Sequence, residues 1–402
     1  MNIQALKSGE IPKPILILVA GGFIQSLGNS LMWPLNSLFM HNVLGRSLTE
    51  AGLILALQSG VSLLGQFWSG VLTDRFLPKR IMQGGIAAAI LLLAVIALFP
   101  VWPVYAPAFI LFGLAQAFIY VPLNALIHAA WPEGGRRGYN LLYVFNNAGV
   151  AIGTAIGGLV ATVSFRFTFM INAFSFAVYF FLVLWGISEY HPRINVLPDQ
   201  RQTAKLNKEP SFSVVLALSA GIFLVWSAYI QWTTVLPVVM GNLGFPLPAY
   251  SILWTLNGVF IVTLQPLTGW IIKVWASGFV RQFYLACLLI SLSFIILLGH
   301  LPYFSYILAM LILTIGEMLI LPAVPAAAAH LAPRGRDGVY QGIVGGAGSG
   351  GRMLGPLLGG LAFDQGGGPA VWLLALVFMA LSFTAFAFYH RLVKKPILPS
   401  QT

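Results

Sequence analysis

Long apolar stretches with almost no charge recur along the whole of this 402-residue chain. The hydrocarbon core of a bilayer is about 30 Å thick, and an α-helix of about 20 apolar residues crosses it. Only 8% of the residues are charged and 58% are hydrophobic, whereas soluble domains carry about 25% charged residues. The sequence therefore predicts an all-α, multi-pass membrane protein.

We predict about twelve membrane-spanning helices, six in each half of the chain. Those of the first half lie near residues 15–40, 49–72, 81–99, 105–130, 139–163 and 167–187. Those of the second half lie near residues 213–239, 248–272, 282–298, 304–329, 339–363 and 370–389. One long polar connection separates the halves. The predicted domains are a six-helix bundle of residues 1–190, a linker of residues 191–211 and a second bundle of residues 212–402.

The net charge of +11 could indicate nucleic-acid binding, so the position of the basic residues decides what it means. If Met1 is cytoplasmic, all but three of the 21 Lys and Arg residues lie in cytoplasmic segments; Arg46 and Arg166 lie outside and Arg352 lies within a span. By the positive-inside rule, both termini and the linker are cytoplasmic, in a protein of the cell membrane. Because the charges are dispersed among short loops, we expect no nucleic-acid partner.

Glycines recur with the same spacing in the fifth and eleventh predicted spans. Ala148–Gly158 has the sequence AGVAIGTAIGG, and Gly350–Gly360 has the sequence GGRMLGPLLGG. Small residues every four positions let helix backbones approach closely in lipid. We interpret them as packing positions, and a hinge or sliding surface for alternating access is the alternative. The positions are Gly149, Gly153, Gly157, Gly351, Gly355, Pro356 and Gly359.

The repeated halves and one loop motif resemble the major facilitator superfamily, over essentially the whole chain. Gly70–Arg80 has the sequence GVLTDRFLPKR, which is similar to that family's G-x-x-x-D-R-x-G-R-K/R signature but departs from it at Leu77 and Pro78. The resemblance implies two pseudo-symmetric six-helix bundles and transport by alternating access. It also implies a conformational switch, with a carboxylate contacting the start of the eleventh helix, formed by Gly70, Asp74 and Arg75.

Within that family the chain resembles the twelve-helix drug:proton antiporter-type exporters. The glycine pattern of the fifth span is similar to their antiporter motif, with Thr154 at the position of the motif's proline. The tenth span contains Gly316–Pro322, which resembles a G-E-x-x-x-x-P stretch of several proton-coupled exporters. The fourth span departs from the drug-exporter pattern, because no arginine precedes Gly113 in an R-x-x-x-G motif.

Glu317 is the only acidic residue deep within a predicted span. An ionisable group there costs about 2.5–3.5 kcal/mol on insertion and is a functional candidate by default. Burial disfavours the charged form of a carboxyl group, as a proton carrier requires. The alternative is a structural, ion-paired glutamate. Arg352 is the one deep basic residue; it could pair with Glu317, meet an anionic substrate or extend towards the membrane surface. We assign proton coupling to these two residues.

Polar and aromatic side chains within the apolar spans are candidates for lining a substrate cavity. Each is explained equally well by hydrogen bonding between helices. Together they describe a cavity with few charges and many aromatic groups, which suits neutral or cationic amphipathic substrates. They are Gln25, Asn29, Trp33, Asn36, Gln116, Asn124, Asn146, Asn147, Gln231 and Trp232.

These features predict a monomeric secondary active transporter that exports amphipathic small molecules in exchange for protons. A metabolite or sugar symporter and a lipid flippase of the same fold are alternatives, and a non-transporting receptor or an enzyme is a remote one. The sequence contains no P-loop, dinucleotide-binding loop, nucleophile constellation or metal-ligand cluster. We therefore expect no cofactor, no metal and no enzymatic activity.

Overall fold

The computed structural model describes residues 11–131, 136–187, 212–299, 302–331 and 337–394, and within these ranges every regular element is a helix. The helices of the first half are α1 (Lys13–Met32), α2 (Asn36–Leu38), α3 (Leu48–Arg75), α4 (Pro78–Leu98), α5 (Trp102–Ala130), α6 (Arg136–Val163) and α7 (Phe165–Gly186). Those of the second half are α8 (Phe212–Tyr229), α9 (Gln231–Thr234), α10 (Leu236–Asn242), α11 (Leu247–Thr263), α12 (Gln265–Val274), α13 (Phe279–Leu297), α14 (Tyr303–Leu331) and α15 (Asp337–Lys394).

The helices confirm the predicted twelve spans. In the described part of the chain, 10 helical segments are long and apolar enough to cross a bilayer, and the bent pair α11 and α12 adds one more. The longest helix, α15, has 58 residues, which is far more than the roughly 20 that one span needs. Its backbone leaves the helical conformation at Gly366 and Gly367, so it supplies two spans.

Proline interrupts three of the predicted spans, because it has no backbone N–H to donate to the preceding turn. Pro34 lies in a 3-10 helix (Trp33–Leu35) that follows α1, and a π-helix (Phe39–Val43) continues this span. Pro237 is the second residue of α10, which follows a break at Val235. Pro266 is the second residue of α12, whose axis is bent by 58° from that of α11. These breaks leave backbone carbonyls that other groups must satisfy.

Large apolar side chains are exposed on the outer faces of the helices. Trp185 is 79% exposed and Phe174 is 69% exposed. Contiguous apolar surface of this kind is rare on soluble monomers. It is the surface that a lipid bilayer covers, as expected for membrane-spanning helices.

The glycine-bearing helices pack closely on two other helices, α6 on α1 and α15 on α8. A Cβ atom added at Gly149 would lie 2.6 Å from the Phe23 carbonyl oxygen, and one added at Gly153 would overlap the Leu27 carbonyl oxygen. In the second half, a Cβ added at Gly351 would overlap the Phe223 carbonyl oxygen. Only glycine permits these backbone approaches. The remaining predicted packing positions lie on the same two helices, at Gly157, Gly355, Pro356 and Gly359.

The described chain divides into two compact units. Unit 1 comprises residues 11–39, 57–131, 136–187 and 246–255, and unit 2 comprises residues 40–56, 212–245, 256–299, 302–331 and 337–394. Each unit thus contains a short segment from the other half of the sequence. The predicted linker of residues 191–211 lies outside the described residues, and the predicted division into residues 1–190 and 212–402 stays a prediction.

We expect Gly153→Ala to destabilise the protein by about 1–3 kcal/mol, because the new methyl group overpacks the contact between α6 and α1. Thermal unfolding of the purified protein in detergent would measure the change. Gly84→Ala is the matched control, since a Cβ added at Gly84 meets nothing within 4 Å. Equal stability of the two variants would contradict this account of the glycine spacing.

Candidate functional site

Glu317 lies on α14 in unit 2, where two neutral side chains hold its carboxylate. The hydroxyl of Tyr229, the last residue of α8, donates a hydrogen bond to Glu317 Oε2 at 2.9 Å. The Asn257 side-chain amide, on α11, donates to the same oxygen at 3.0 Å. Glu317 Oε1 accepts no hydrogen bond from a described residue. The carboxyl group therefore has one anchored oxygen and one that is available to a proton.

The Asn257 amide that holds this carboxylate is itself held by a second hydrogen bond. Asn257 Nδ2 also donates to Thr314 Oγ1 at 2.9 Å, and Thr314 donates to the Met310 carbonyl oxygen at 2.7 Å. Thr314 and Glu317 are three residues apart on α14 and hence share one face of the helix. The local sequence of α14 thus places a hydroxyl and a carboxyl group against the same amide. None of these supporting groups carries a charge.

Arg352 is connected to Glu317 through two aromatic rings, those of Trp226 and Tyr229. Its guanidinium carbon lies 4.4 Å from the centre of the Trp226 ring, which is within the range of a cation–π interaction. Arg352 Nη2 also donates to Ser349 Oγ at 2.8 Å. Trp226 in turn packs edge-on against Tyr229, with ring centroids 5.3 Å apart. The described contacts thus connect the guanidinium to Glu317 through an aromatic pair.

Unit 1 contains a polar cavity of about 380 Å³ between α1, α3, α5 and α6. Four of the predicted cavity residues line it. Gln25 Nε2 donates to Gln116 Oε1 at 2.9 Å, which links α1 to α5. The four predicted residues are Gln25, Asn29, Gln116 and Asn146.

Several polar residues of this cavity are not among the predicted ones. Ser62 and Gln66 lie four residues apart on α3 and both line the cavity, and Ser26 and Tyr120 complete its polar wall. The spacing of the α3 pair was a usable signal, since residues four apart share a helix face. This signal is weak, because uncharged polar side chains within spans occur in helix packing as well as at cavity walls.

Gln231 and Trp232 lie in the packed interior of unit 2 and not at a cavity wall, since both are 0% exposed. The Gln231 side-chain amide donates to the carbonyl oxygens of Ser227, at 2.9 Å, and Gly355, at 2.8 Å. It thus satisfies backbone groups where α8 ends and α15 passes close by. Its setting is that of interhelical hydrogen bonding, the other role that the sequence allowed.

The remaining cavity candidates also lie outside the cavity of unit 1. Asn36 is buried and accepts a long hydrogen bond of 3.5 Å from the Tyr105 hydroxyl. Trp33 packs edge-on against Trp254, with centroids 5.2 Å apart. The side-chain amides of Asn124 and Asn147 donate to backbone carbonyl oxygens one helical turn earlier, at 2.9 Å and 2.8 Å.

The predicted switch residues lie at the carboxyl-terminal end of α3. Gly70 has open space around it, because an added Cβ would meet nothing within 4 Å, and Arg75 is exposed. Asp74 belongs to the helix, but its side chain lies outside the described part of the structure, as do the side chains at the start of α15. The inner contact through Asp74 therefore stays a prediction.

The other end of α3 carries a functional candidate that is not among the predicted site residues. Asp364, on α15, accepts hydrogen bonds from the backbone N–H of Leu48 at 3.1 Å and of Thr49 at 2.8 Å. The Thr49 hydroxyl donates to the same carboxylate. A carboxylate at a helix N-terminus satisfies otherwise unpaired N–H groups and interacts favourably with the helix dipole.

A local capping box completes this helix end. The Ser47 hydroxyl accepts from the Glu50 backbone N–H, and the Glu50 carboxylate accepts from the Ser47 backbone N–H, both at 3.1 Å. Further along, a Cβ added at Gly52 would overlap the Pro356 carbonyl oxygen. The segment of α3 in unit 2 is thus held against α15 by backbone packing and by one acidic side chain.

The comparisons with known proteins agree with this architecture. The family model described as Major Facilitator Superfamily matches residues 18–350 and 274–401. The Bacillus subtilis (strain 168) protein YttB, described as an uncharacterized MFS-type transporter, is 39% identical over 389 residues, which cover 96% of this chain and 97% of YttB. The multidrug resistance protein MdtH of Yersinia enterocolitica is 24% identical over 357 residues, covering 87% of this chain and 85% of MdtH.

Two solved structures show the same fold at low sequence identity. A POT family transporter in complex with 5-aminolevulinic acid matches with a TM-score of 0.80 and 15% identity, covering 96% of this chain and 98% of that chain. The nucleoside transporter NupG matches with a TM-score of 0.71 and 14% identity, covering 95% of this chain and 100% of that chain. The twelve spans, the family match and the YttB relative together show that this chain belongs to the major facilitator superfamily of membrane transporters.

Proposed function

We propose that this protein exports amphipathic small molecules in exchange for protons, and that Glu317 carries the proton. The observation that supports this most directly is the setting of Glu317. It is an acidic residue within a membrane span, and its described partners are the uncharged donors Tyr229 and Asn257. A carboxylate that is permanently neutralised by a cation would not exchange protons readily. One that is held by neutral donors retains both protonation states.

The geometry allows protonation without dismantling the site. Tyr229 and Asn257 both donate to Oε2, so a proton bound at Oε1 would leave these two hydrogen bonds in place. Both protonation states of Glu317 can thus keep the same two donors, which suits a group that must change its protonation state when its access to water changes.

Alternating access requires contacts that form in one state and break in another. The contact of Asp364 with the start of α3 has this character. The carboxylate is exposed, so water can replace its hydrogen bonds when α3 and α15 separate. By the predicted orientation this contact lies at the outer end of the two helices. We assign it as an outer gate contact, complementary to the inner contact predicted for Asp74.

One relative supports export. MdtH is named as a multidrug resistance protein, which favours export of small molecules. The POT and NupG structures bear on the fold alone. Import of a polar metabolite or sugar by symport is the second candidate, because the cavity of unit 1 is lined by carboxamides and hydroxyls. The sign of substrate movement under an imposed proton gradient separates the two.

We expect Glu317→Gln to abolish uphill transport. Glutamine keeps the shape of the side chain and can accept the same hydrogen bonds, but it cannot bind and release a proton. Proteoliposomes with an imposed pH gradient, screened with neutral and cationic lipophilic dyes, would measure accumulation and substrate-linked proton release. Passive exchange of neutral substrate should persist. Tyr229→Phe is the companion variant; it keeps the titratable group and should keep uphill transport at a reduced rate. Wild-type accumulation by Glu317→Gln would show that the residue is structural.

We expect Asp364→Asn to lower the population of the state in which α3 contacts α15, by up to about fivefold. An exposed carboxylate at a helix N-terminus contributes about 0.3–1 kcal/mol, which limits the shift to that size. Distances between spin labels at Asn42 and Gln365, in a Cys287→Ser background, would report it. Glu50→Gln is the matched control at the same helix end, since it alters only local contacts, namely the capping box with Ser47 and the ion pair with Arg46. Identical distance distributions in Asp364→Asn and wild type would remove the gate assignment.

The predicted orientation can be tested by labelling. In a Cys287→Ser background, we expect single cysteines at Arg46 and Arg166 to react with impermeant reagents from outside intact cells. Cysteines at Arg136 and Lys205 should react only after permeabilisation, because positively charged loops are retained in the cytoplasm. The opposite pattern would invert the topology and exchange the inner and outer gate assignments.

A further inference from the structure

The cavity of unit 1 is polar but contains no charge in its described lining. Its hydrogen-bonding groups are carboxamides, hydroxyls and a phenol, and the apolar part of its wall includes Ala117, Ile119 and Leu123. Small-molecule pockets usually have volumes of about 300–1,000 Å³, and this cavity of about 380 Å³ lies at the small end of that range. It has room for one hydrogen-bonding group and a small apolar portion.

The missing charge limits what the cavity can hold. A cation taken out of water needs a carboxylate or an array of aromatic rings, and an anion needs Arg, Lys or several convergent N–H donors. No carboxylate or basic side chain is among the described residues that line the cavity, and Tyr120 is its one described aromatic ring. A charged group in this cavity would lose its hydration without a counter-charge. An uncharged group would not carry that penalty.

The side chains offer both donors and acceptors. Gln25 Nε2 donates to Gln116 Oε1, which leaves the Gln116 amide N–H groups and the Gln25 carbonyl oxygen for other partners. Asn146 lines the same cavity, although its Oδ1 is buried beside Gly22. A ligand group that donates and accepts at once, a hydroxyl or a carboxamide, fits this arrangement.

We infer that the cavity of unit 1 binds the uncharged hydrogen-bonding part of the substrate, a hydroxyl-rich or carboxamide group, and discriminates against cationic and anionic groups. This inference rests on the proposed transport function and narrows its substrate class to neutral amphipathic molecules. In this assignment the linked pair Gln25 and Gln116 supplies donors and acceptors to the ligand, and Asn146 forms part of the polar wall beside them. The cavity is then a recognition site for a neutral group, and the titratable residue Glu317 lies in the other unit.

Matched ligands with one common phenyl group test the inference. We expect phenyl β-D-glucopyranoside or benzamide to bind the full-length protein in lipid nanodiscs, measured by calorimetry without any gradient. Phenyltrimethylammonium and benzoate should bind at least about tenfold more weakly. Gln116→Leu and Asn146→Leu should each weaken binding of the neutral probe by about tenfold, because a hydrogen-bonding position of the cavity is lost. Gln265→Leu, the same change outside the cavity, should have no effect.

Several outcomes would overturn the inference. It is wrong if phenyltrimethylammonium binds as tightly as the neutral probes, if neither neutral probe binds, or if the two cavity variants bind them like wild type. Unfolding temperature and elution profile would identify a misfolded variant, and Gln116→Asn, which keeps an amide, should restore part of the binding. Transport of a neutral probe without proton movement would overturn proton coupling alone. Proton-coupled transport of cations only would overturn the substrate class alone.

Discussion

The hydrocarbon core of a bilayer offers no hydrogen bonds, and the architecture of this protein follows from that constraint. Each backbone N–H and C=O group must find its partner within the protein, which is why the described spans are helices. Where a helix ends within a span, side chains can take over this task. Gln231 donates to the carbonyl oxygens of Ser227 and Gly355, and it thereby secures the end of α8 and its contact with α15. A residue that resembles a ligand-binding group in the sequence is here part of the framework.

The same constraint makes polar groups within the spans informative. Glu317 in unit 2 has neutral donors around it, and the cavity of unit 1 has amides and hydroxyls in its wall. The two sites differ in chemistry, since one can change its charge and the other cannot. We interpret this as a separation of tasks, in which one unit responds to protons and the other recognises a neutral group. In the function we propose, coupling depends on a conformational change of both units and needs no direct contact between proton and substrate.

The start of α3 shows how one helix end can serve two purposes. Glu50 satisfies a local N–H group through the capping box, and Asp364 satisfies two more from a position 316 residues beyond Leu48 in the chain. The local contact joins residues of one helical turn and does not involve α15. The distant contact exists only while α3 and α15 lie together. Helix N-termini are well suited to such reversible contacts, because water can satisfy the same N–H groups when the carboxylate withdraws.

The sequence by itself determined the spans, the glycine packing positions and the single deep acid Glu317, because hydropathy and helical periodicity are local properties of the chain. It also indicated Gln25, Gln116 and Asn146 as polar groups within spans. It did not determine which polar groups share a cavity. Gln66 lines the cavity of unit 1, whereas Gln231 is buried within unit 2. Nor did the sequence indicate Asp364, whose partners lie in a helix near the other end of the chain. Only the tertiary structure decided these points, since the direction in which a helix face points and the helix it meets are set by packing between distant segments.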